Sequence, residues 1–280
     1  MPRAGPPLHD TVAVEQPAVA VLLERSEPLR TVYQPIVDLR SGDVAGYEAL
    51  TRVAEWPARS PEPWFAAAGR EGLGGAFEAA ALTSALRARP QLDARQFLAV
   101  NVAAPALLHQ DVTSALLAGT DLAGVVVALS DVDAADGAQL AATLAGLRER
   151  GLLVAVRVVD GGRAELHRLA GLRPDLVELG PQLVHGVAAD DIAARVVRVV
   201  LDVAAAVAAD VLASGVEALA DARWLQRAGV ALGEGWLFGR ARAGLLAPSP
   251  EVVAWLRSPD DDRDHEAAGP SSSGAVAPPA

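Results

Sequence analysis

The sequence predicts an α/β fold, a (β/α)8-type barrel whose first strand runs antiparallel to its neighbour. Three observations carry this prediction. Over about 240 residues, short β-branched runs alternate with segments whose apolar residues fall at helical spacing. The alternation yields about eight strands, with connections long enough to bring the chain back as a parallel neighbour. The first two strands, by contrast, are separated only by Ser41-Gly42-Asp43, a hairpin turn that forces an antiparallel pair. An open doubly wound sheet satisfies the same alternation, and the strand count favours the barrel over it.

In chain order, the strands are expected at 31–39, 44–52, 97–102, 125–129, 153–159, 176–179, 211–213 and 235–238. The clearest helices between them are 137–150, 165–172, 192–208 and 218–228. The Val and Ala stripe of 192–208 reads as core. Both ends read as disordered: 1–16 is rich in Pro and polar residues, and 258–280 is a charge run followed by a Ser/Gly/Pro/Ala tail. Residues 17–257 form one domain, with no internal linker rich enough to mark a boundary.

Composition excludes several chemistries. There is no cysteine, so disulfides, thiolate nucleophiles and Cys-ligated metals are ruled out. All 24 basic residues are arginine, which rules out lysine as general acid, Schiff base or phosphate ligand. A net charge of −11 opposes nonspecific binding to nucleic acid or to an anionic membrane. The longest apolar stretch, 196–213, is interrupted by Arg198, Asp202 and Asp210, and the first ten residues lack a signal-peptide core. A cytoplasmic protein with no membrane or nucleic-acid partner is the expectation.

Specific motifs follow. Tyr33-Gln34-Pro35-Ile36-Val37-Asp38-Leu39 is followed by Gly46-Tyr47-Glu48-Ala49-Leu50-Thr51-Arg52, then by Val100-Asn101-Val102 and Leu172-Arg173-Pro174-Asp175. Ala213-Ser214-Gly215-Val216-Glu217 and Gly235-Trp236-Leu237-Phe238-Gly239-Arg240 complete the series. In this order the motifs resemble the EAL domain family of cyclic di-GMP phosphodiesterases. The resemblance implies a modified barrel with its site at the C-terminal ends of the strands. It also implies two Mg²⁺ or Mn²⁺ ions, held by carboxylates and an Asn, that activate a water against one phosphodiester.

Matched position by position, Glu48 and Asn101 are the metal-ligand positions that remain. Ala128 stands where the resemblance implies a Glu, Arg157 and Val158 where it implies an Asp pair, and Ser214 where it implies another Glu. Glu178 replaces the implied Lys, Gly180 an Asp and Glu234 a Gln, while Glu217 is kept. A guanidinium near two divalent cations repels them and cannot shed its charge. Arg157 is expected instead to pair bidentately with Glu48 or Glu178. On the ligand side, the resemblance implies a vestigial nucleotide site of Gln34, Glu48, Leu50, Arg52, Asn101 and Glu217.

The sequence therefore reads as a degenerate member of the family, with no catalytic residues and no cofactor, acting as a cyclic di-GMP receptor or as a regulator of a protein partner. Two alternatives stay open. One is a weak phosphodiesterase using Mg²⁺ or Mn²⁺ on Glu48, Asn101, Asp131, Asp160 and Glu217. The other is an interaction module that no longer binds nucleotide. The resemblance also allows a homodimer. Among lesser features, Asp160-Gly161-Gly162 reads as a glycine-requiring turn before it reads as a phosphate cradle. His9, His109, His167, His185 and His265 lack metal-ligand spacing and read as surface residues. Trp56 and Trp64 read as local packing anchors.

Overall fold

The computed structural model describes residues 18–25, 29–53, 60–119 and 121–258. The expected disordered ends lie outside these residues except for Ser258, and Trp56 lies outside them too. Eight strands close into one barrel: β1 (Leu29–Asp38), β2 (Val44–Val53), β3 (Phe97–Ala103), β4 (Val125–Ser130), β5 (Leu153–Val158), β6 (Leu176–Leu179), β7 (Asp210–Ala213) and β8 (Leu232–Glu234). β1 is antiparallel to both β2 and β8, and every other neighbouring pair is parallel. The open-sheet alternative is thereby replaced by closure.

The helices of the described residues are α1 (Val19–Leu23), α2 (Glu62–Arg70), α3 (Gly74–Leu86), α4 (Ala104–Leu107), α5 (Gln110–Leu117), α6 (Gly137–Arg148), α7 (Arg163–Leu172), α8 (Pro181–Val184), α9 (Asp191–Val207), α10 (Leu219–Ala228) and α11 (Pro250–Arg257). Starts are set by side-chain caps where the sequence supplies them. Asp136 accepts from Gln139 N at 2.8 Å ahead of α6, and Asp190 accepts from Ile192 N and Ala193 N at 2.8 and 3.1 Å ahead of α9. Along α9, Ala194, Val197, Val200 and Ala204 form the buried stripe, whereas Ile192 at its first turn is 76% exposed.

Alternation along the strands sorts side chains between two cores. Leu98, Val100 and Val102 of β3, Val125, Val127 and Leu129 of β4, and Val154, Val156 and Val158 of β5 face the helices. Phe97, Ala99, Val126, Ala128, Leu153, Ala155, Leu176 and Leu212 face the barrel interior. Both faces are buried, so these strands read as unbroken apolar runs instead of alternating ones. Each fully buried Val or Leu contributes roughly 1.5–3 kcal/mol. Trp64 is buried in a separate cluster with Phe77, and Phe77 meets Phe65 edge-on at 4.9 Å, consistent with a packing anchor.

The β1–β2 hairpin forms where Ser41-Gly42-Asp43 places it. Asp38 Oδ1 accepts from Arg40 N and Ser41 N at 2.8 and 2.7 Å, and Gly42 takes φ +71°. The last strand needs correction: β8 is Leu232–Glu234, and 235–238 is a turn. Phe238 N and Gly239 N both donate to Gly235 O at 3.1 Å, so the chain folds back before Phe238 enters the core. The buried aromatic imitates a strand residue in the sequence.

Gly235 is indispensable to that turn. It adopts φ +150°, and a Cβ on it would lie 2.1 Å from Val216 O and 2.3 Å from Val216 N. Gly235→Ala is expected to cost about 3 kcal/mol or more, combining backbone strain with a clash against main chain. Urea unfolding read by tryptophan fluorescence checks this; a midpoint equal to the parent's would show that the turn can relax.

Candidate functional site

The interior alternation delivers a distinctive set of side chains to the C-terminal end of the barrel. After Ala99 comes Asn101; after Val126, Ala128; after Ala155, Arg157; after Leu176, Glu178; after Leu212, Ser214. Glu48 of β2 and Glu234 of β8 complete the ring. Asn101 pairs with Ala128 and Arg157 with Glu178 in strand register. Above part of this ring opens a cavity of about 690 Å³. It lies over β2–β4, with α3 as a side wall and the start of α2 at the lip.

Arg157 pairs with Glu178, the second of the two expected partners. Its Nε donates to Oε1 at 2.8 Å, and Nη2 lies 2.6 Å from the same oxygen as an ion-pair contact, so the guanidinium meets one oxygen and does not form a two-oxygen fork. Burial works against the charge on Arg157, but Glu178, Glu48 and Glu234 outweigh it and raise its pKa. Glu48 accepts from Asn101 Nδ2 at 2.9 Å. It keeps partial access to the cavity, yet its depth in the barrel and the neighbouring Glu178 raise its pKa to about 7 against the help of Asn101 and Arg157. Glu234 is buried, and its Oε2 has no hydrogen-bond partner among the described residues. Desolvation and the charges of Glu48 and Glu178 hold its carboxyl well above the ordinary range, with the Ser214 hydroxyl in partial opposition.

The structure brings together only some of the expected site residues. Glu48, Leu50, Arg52, Asn101 and Asp131 line the cavity. Gln34 lies outside its lining and donates from Nε2 to Gly239 O at 3.0 Å, tying β1 to the loop after β8. Glu217 also lies outside it, 3.9 Å from Nε2 of His185 beyond the ends of β6 and β7. Asp160 accepts from Gly162 N at 2.7 Å in the loop after β5. Among the described residues no three His, Asp or Glu side chains group as metal ligands.

The Asp160-Gly161-Gly162 turn does form an anion cradle, filled by the protein itself. Glu165 Oε2 accepts from the N–H groups of Val159, Asp160 and Gly161 at 3.1, 3.1 and 2.9 Å. Gly161, at φ +68°, supplies the conformation that aims them together.

Glu78 was not legible as a site residue. It is buried on α3, lines the cavity, and takes only a long 3.5 Å bond from Ala103 N. The signal for it is a lone carboxylate inside the apolar run Ala76-Phe77-Glu78-Ala79-Ala80-Ala81-Leu82.

The EAL domain model matches residues 18–241. This chain belongs to the EAL domain family. It is 24% identical over 243 residues to the probable cyclic di-GMP phosphodiesterase PdeB of Escherichia coli (strain K12), covering 80% of this chain and 43% of that protein. It is 29% identical over 233 residues to the uncharacterized protein Rv1354c of Mycobacterium tuberculosis, covering 78% of this chain and 37% of that protein. The chain thus spans less than half the length of these curated relatives. Among solved structures it resembles Klebsiella pneumoniae BlrP1 in its calcium and cyclic di-GMP complex, with a TM-score of 0.69 and 26% identity over 79% of this chain and 58% of that one. The PaMucR phosphodiesterase in its cyclic di-GMP complex has the same fold, with a TM-score of 0.70 at 24% identity over 80% of this chain and 95% of that one.

In this EAL domain the wall carboxylate has a measurable consequence. Burial raises Glu78 to about 7 and Asp131 adds to the rise, with the Ala103 N–H in partial opposition. The folded chain therefore holds a proton that the unfolded chain releases near pH 4.5, and stability falls as pH rises from there through 7. Glu78→Gln is expected to stabilise the protein by roughly 1–3 kcal/mol at pH 8.5 and by little at pH 4.5. Paired melting curves at the two pH values check the sign; equal shifts at both would remove the titration as the cause.

Proposed function

We propose that this EAL domain acts in cyclic di-GMP signalling as a receptor that holds the dinucleotide without hydrolysing it. The observation carrying this reading is the guanidinium of Arg157 on the inner ring, bonded to Glu178 where the family resemblance implies metal-binding carboxylates. The donor set does not fit two divalent cations. Ala128 offers no donor, Ser214 offers one neutral hydroxyl directed at Glu234, and Arg157 adds a permanent positive charge. Glu48 and Asn101 are engaged with each other. Of the rearranged set Glu48, Asn101, Asp131, Asp160 and Glu217, the last two stand away from the cavity, which weighs against the weak phosphodiesterase.

The cavity supports a nucleotide on other grounds. It has room for a substantial ligand part, one guanidinium at the lip from Arg52, hydroxyls of Thr51 and Ser130, and an apolar wall from Leu82, Phe65 and Val100. A second reading, an interaction module that no longer binds nucleotide, is favoured by one feature of the same cavity: Glu62 and Asp131 line it, joined above about pH 7 by Glu48 and Glu78, and their negative charge opposes an anionic ligand. In either reading the output is a contact with a regulatory protein partner.

Calorimetric titration with cyclic di-GMP, run with Mn²⁺ and again with EDTA, separates these readings when each mixture is also assayed for linear dinucleotide. Saturable binding with no product is the expected result. Product accumulating with Mn²⁺ would restore the enzyme, and a flat trace would leave the interaction module.

A further inference from the structure

Arg157 does more than balance an internal carboxylate. Its side chain is 44% exposed while that of Glu178 is 5% exposed, so the ion pair is lopsided, with the carboxylate sealed in the barrel and the guanidinium at its mouth. Arg157 itself lines the cavity beside Asn101 and Ser130. Its Nε is bonded to Glu178 Oε1 and Nη2 rests against the same oxygen, while Nη1 takes no partner among the described residues. The inner position on β4 in register with Asn101 is Ala128, which offers only a methyl group there. A guanidinium fixed along one edge and open along the other, at the floor of a cavity, has the form of an oxyanion ligand.

We propose that Arg157 is the anion-binding residue of this cavity, donating from its free edge to a phosphodiester oxygen, so that a permanent organic cation serves where divalent metal ions would otherwise be required. Glu178 is the positioning residue: it holds the Nε–Nη2 edge and thereby aims Nη1 outward. Arg52, at the lip on β2, supplies the second positive charge from the other side of the cavity. Because the cation is covalently part of β5, ligand affinity is independent of Mg²⁺ and Mn²⁺. This inference rests on the receptor reading above and assigns the residue that makes it work.

The test is calorimetric titration of the full chain with cyclic di-GMP in EDTA and in excess Mg²⁺, on the parent and three variants. The parent should bind equally in both buffers. Arg157→Gln should lose about tenfold or more in affinity, the cost of a charge-assisted hydrogen bond, but it leaves Glu178 buried and unpaired and can fail to fold. The double variant Arg157→Gln/Glu178→Gln removes both charges, should melt like the parent, and should bind as weakly as the single variant. Glu178→Gln keeps the guanidinium and should retain binding to within a few-fold.

If the double variant binds as tightly as the parent, Arg157 is only a structural counter-charge and the inference falls while the receptor reading stands. Binding by the parent that vanishes in EDTA overturns the metal substitution. A parent that binds in neither buffer overturns the receptor reading and this inference together.

Discussion

The structure depends on the double pairing of β1. Its residues bond antiparallel to β2 along most of the strand, with a register shift at Ile36/Val37 in that pairing, and antiparallel to β8 at Ile36, Val37 and Asp38. This one strand closes the ring and leaves no edge exposed to another chain. Closure also makes the interior a compartment. Any charge that alternation delivers to the inner face must be balanced by another inner residue, by a proton, or from the open C-terminal end.

The inner ring uses all three means. Glu178 is matched by Arg157, Glu234 has its pKa raised well above the ordinary carboxylate range by burial and its acidic neighbours, and Glu48 faces the cavity with Asn101 against it. Replacing such a buried pair with apolar residues is often neutral in stability, whereas removing one partner alone is costly. The Arg157–Glu178 pair is therefore better understood by where it points its free edge than by the stability it contributes. The filled cradle after β5 follows the same logic on the outside of the ring, where the Glu165 carboxylate occupies the N–H groups that a ligand phosphate would need.

The barrel was legible because strands buried on both faces produce β-branched runs, and because a three-residue hairpin admits only an antiparallel pair. Two things were not. The Phe238 turn looks like a strand, since burial of an aromatic is encoded the same way in either conformation. Glu78 was hidden because α3 is apolar on nearly every side, so no polar face marks which of its residues border the cavity. Position matching alone identified Arg157 and Glu178 as unusual. Only strand register shows that they are neighbours, and only atomic contacts show that a single oxygen of Glu178 meets both Nε and Nη2.

The arrangement of the ring also constrains the routes by which its charged residues can be exchanged. Exchanging Arg157 for a carboxylate first would place a fourth acid beside Glu48, Glu178 and Glu234 with no internal cation left. Neutralising Glu178 first avoids that crowding, because the guanidinium can then depart without stranding a buried negative charge. The order of substitutions is thus dictated by electrostatics: Glu178 can change first, and Arg157 only after it.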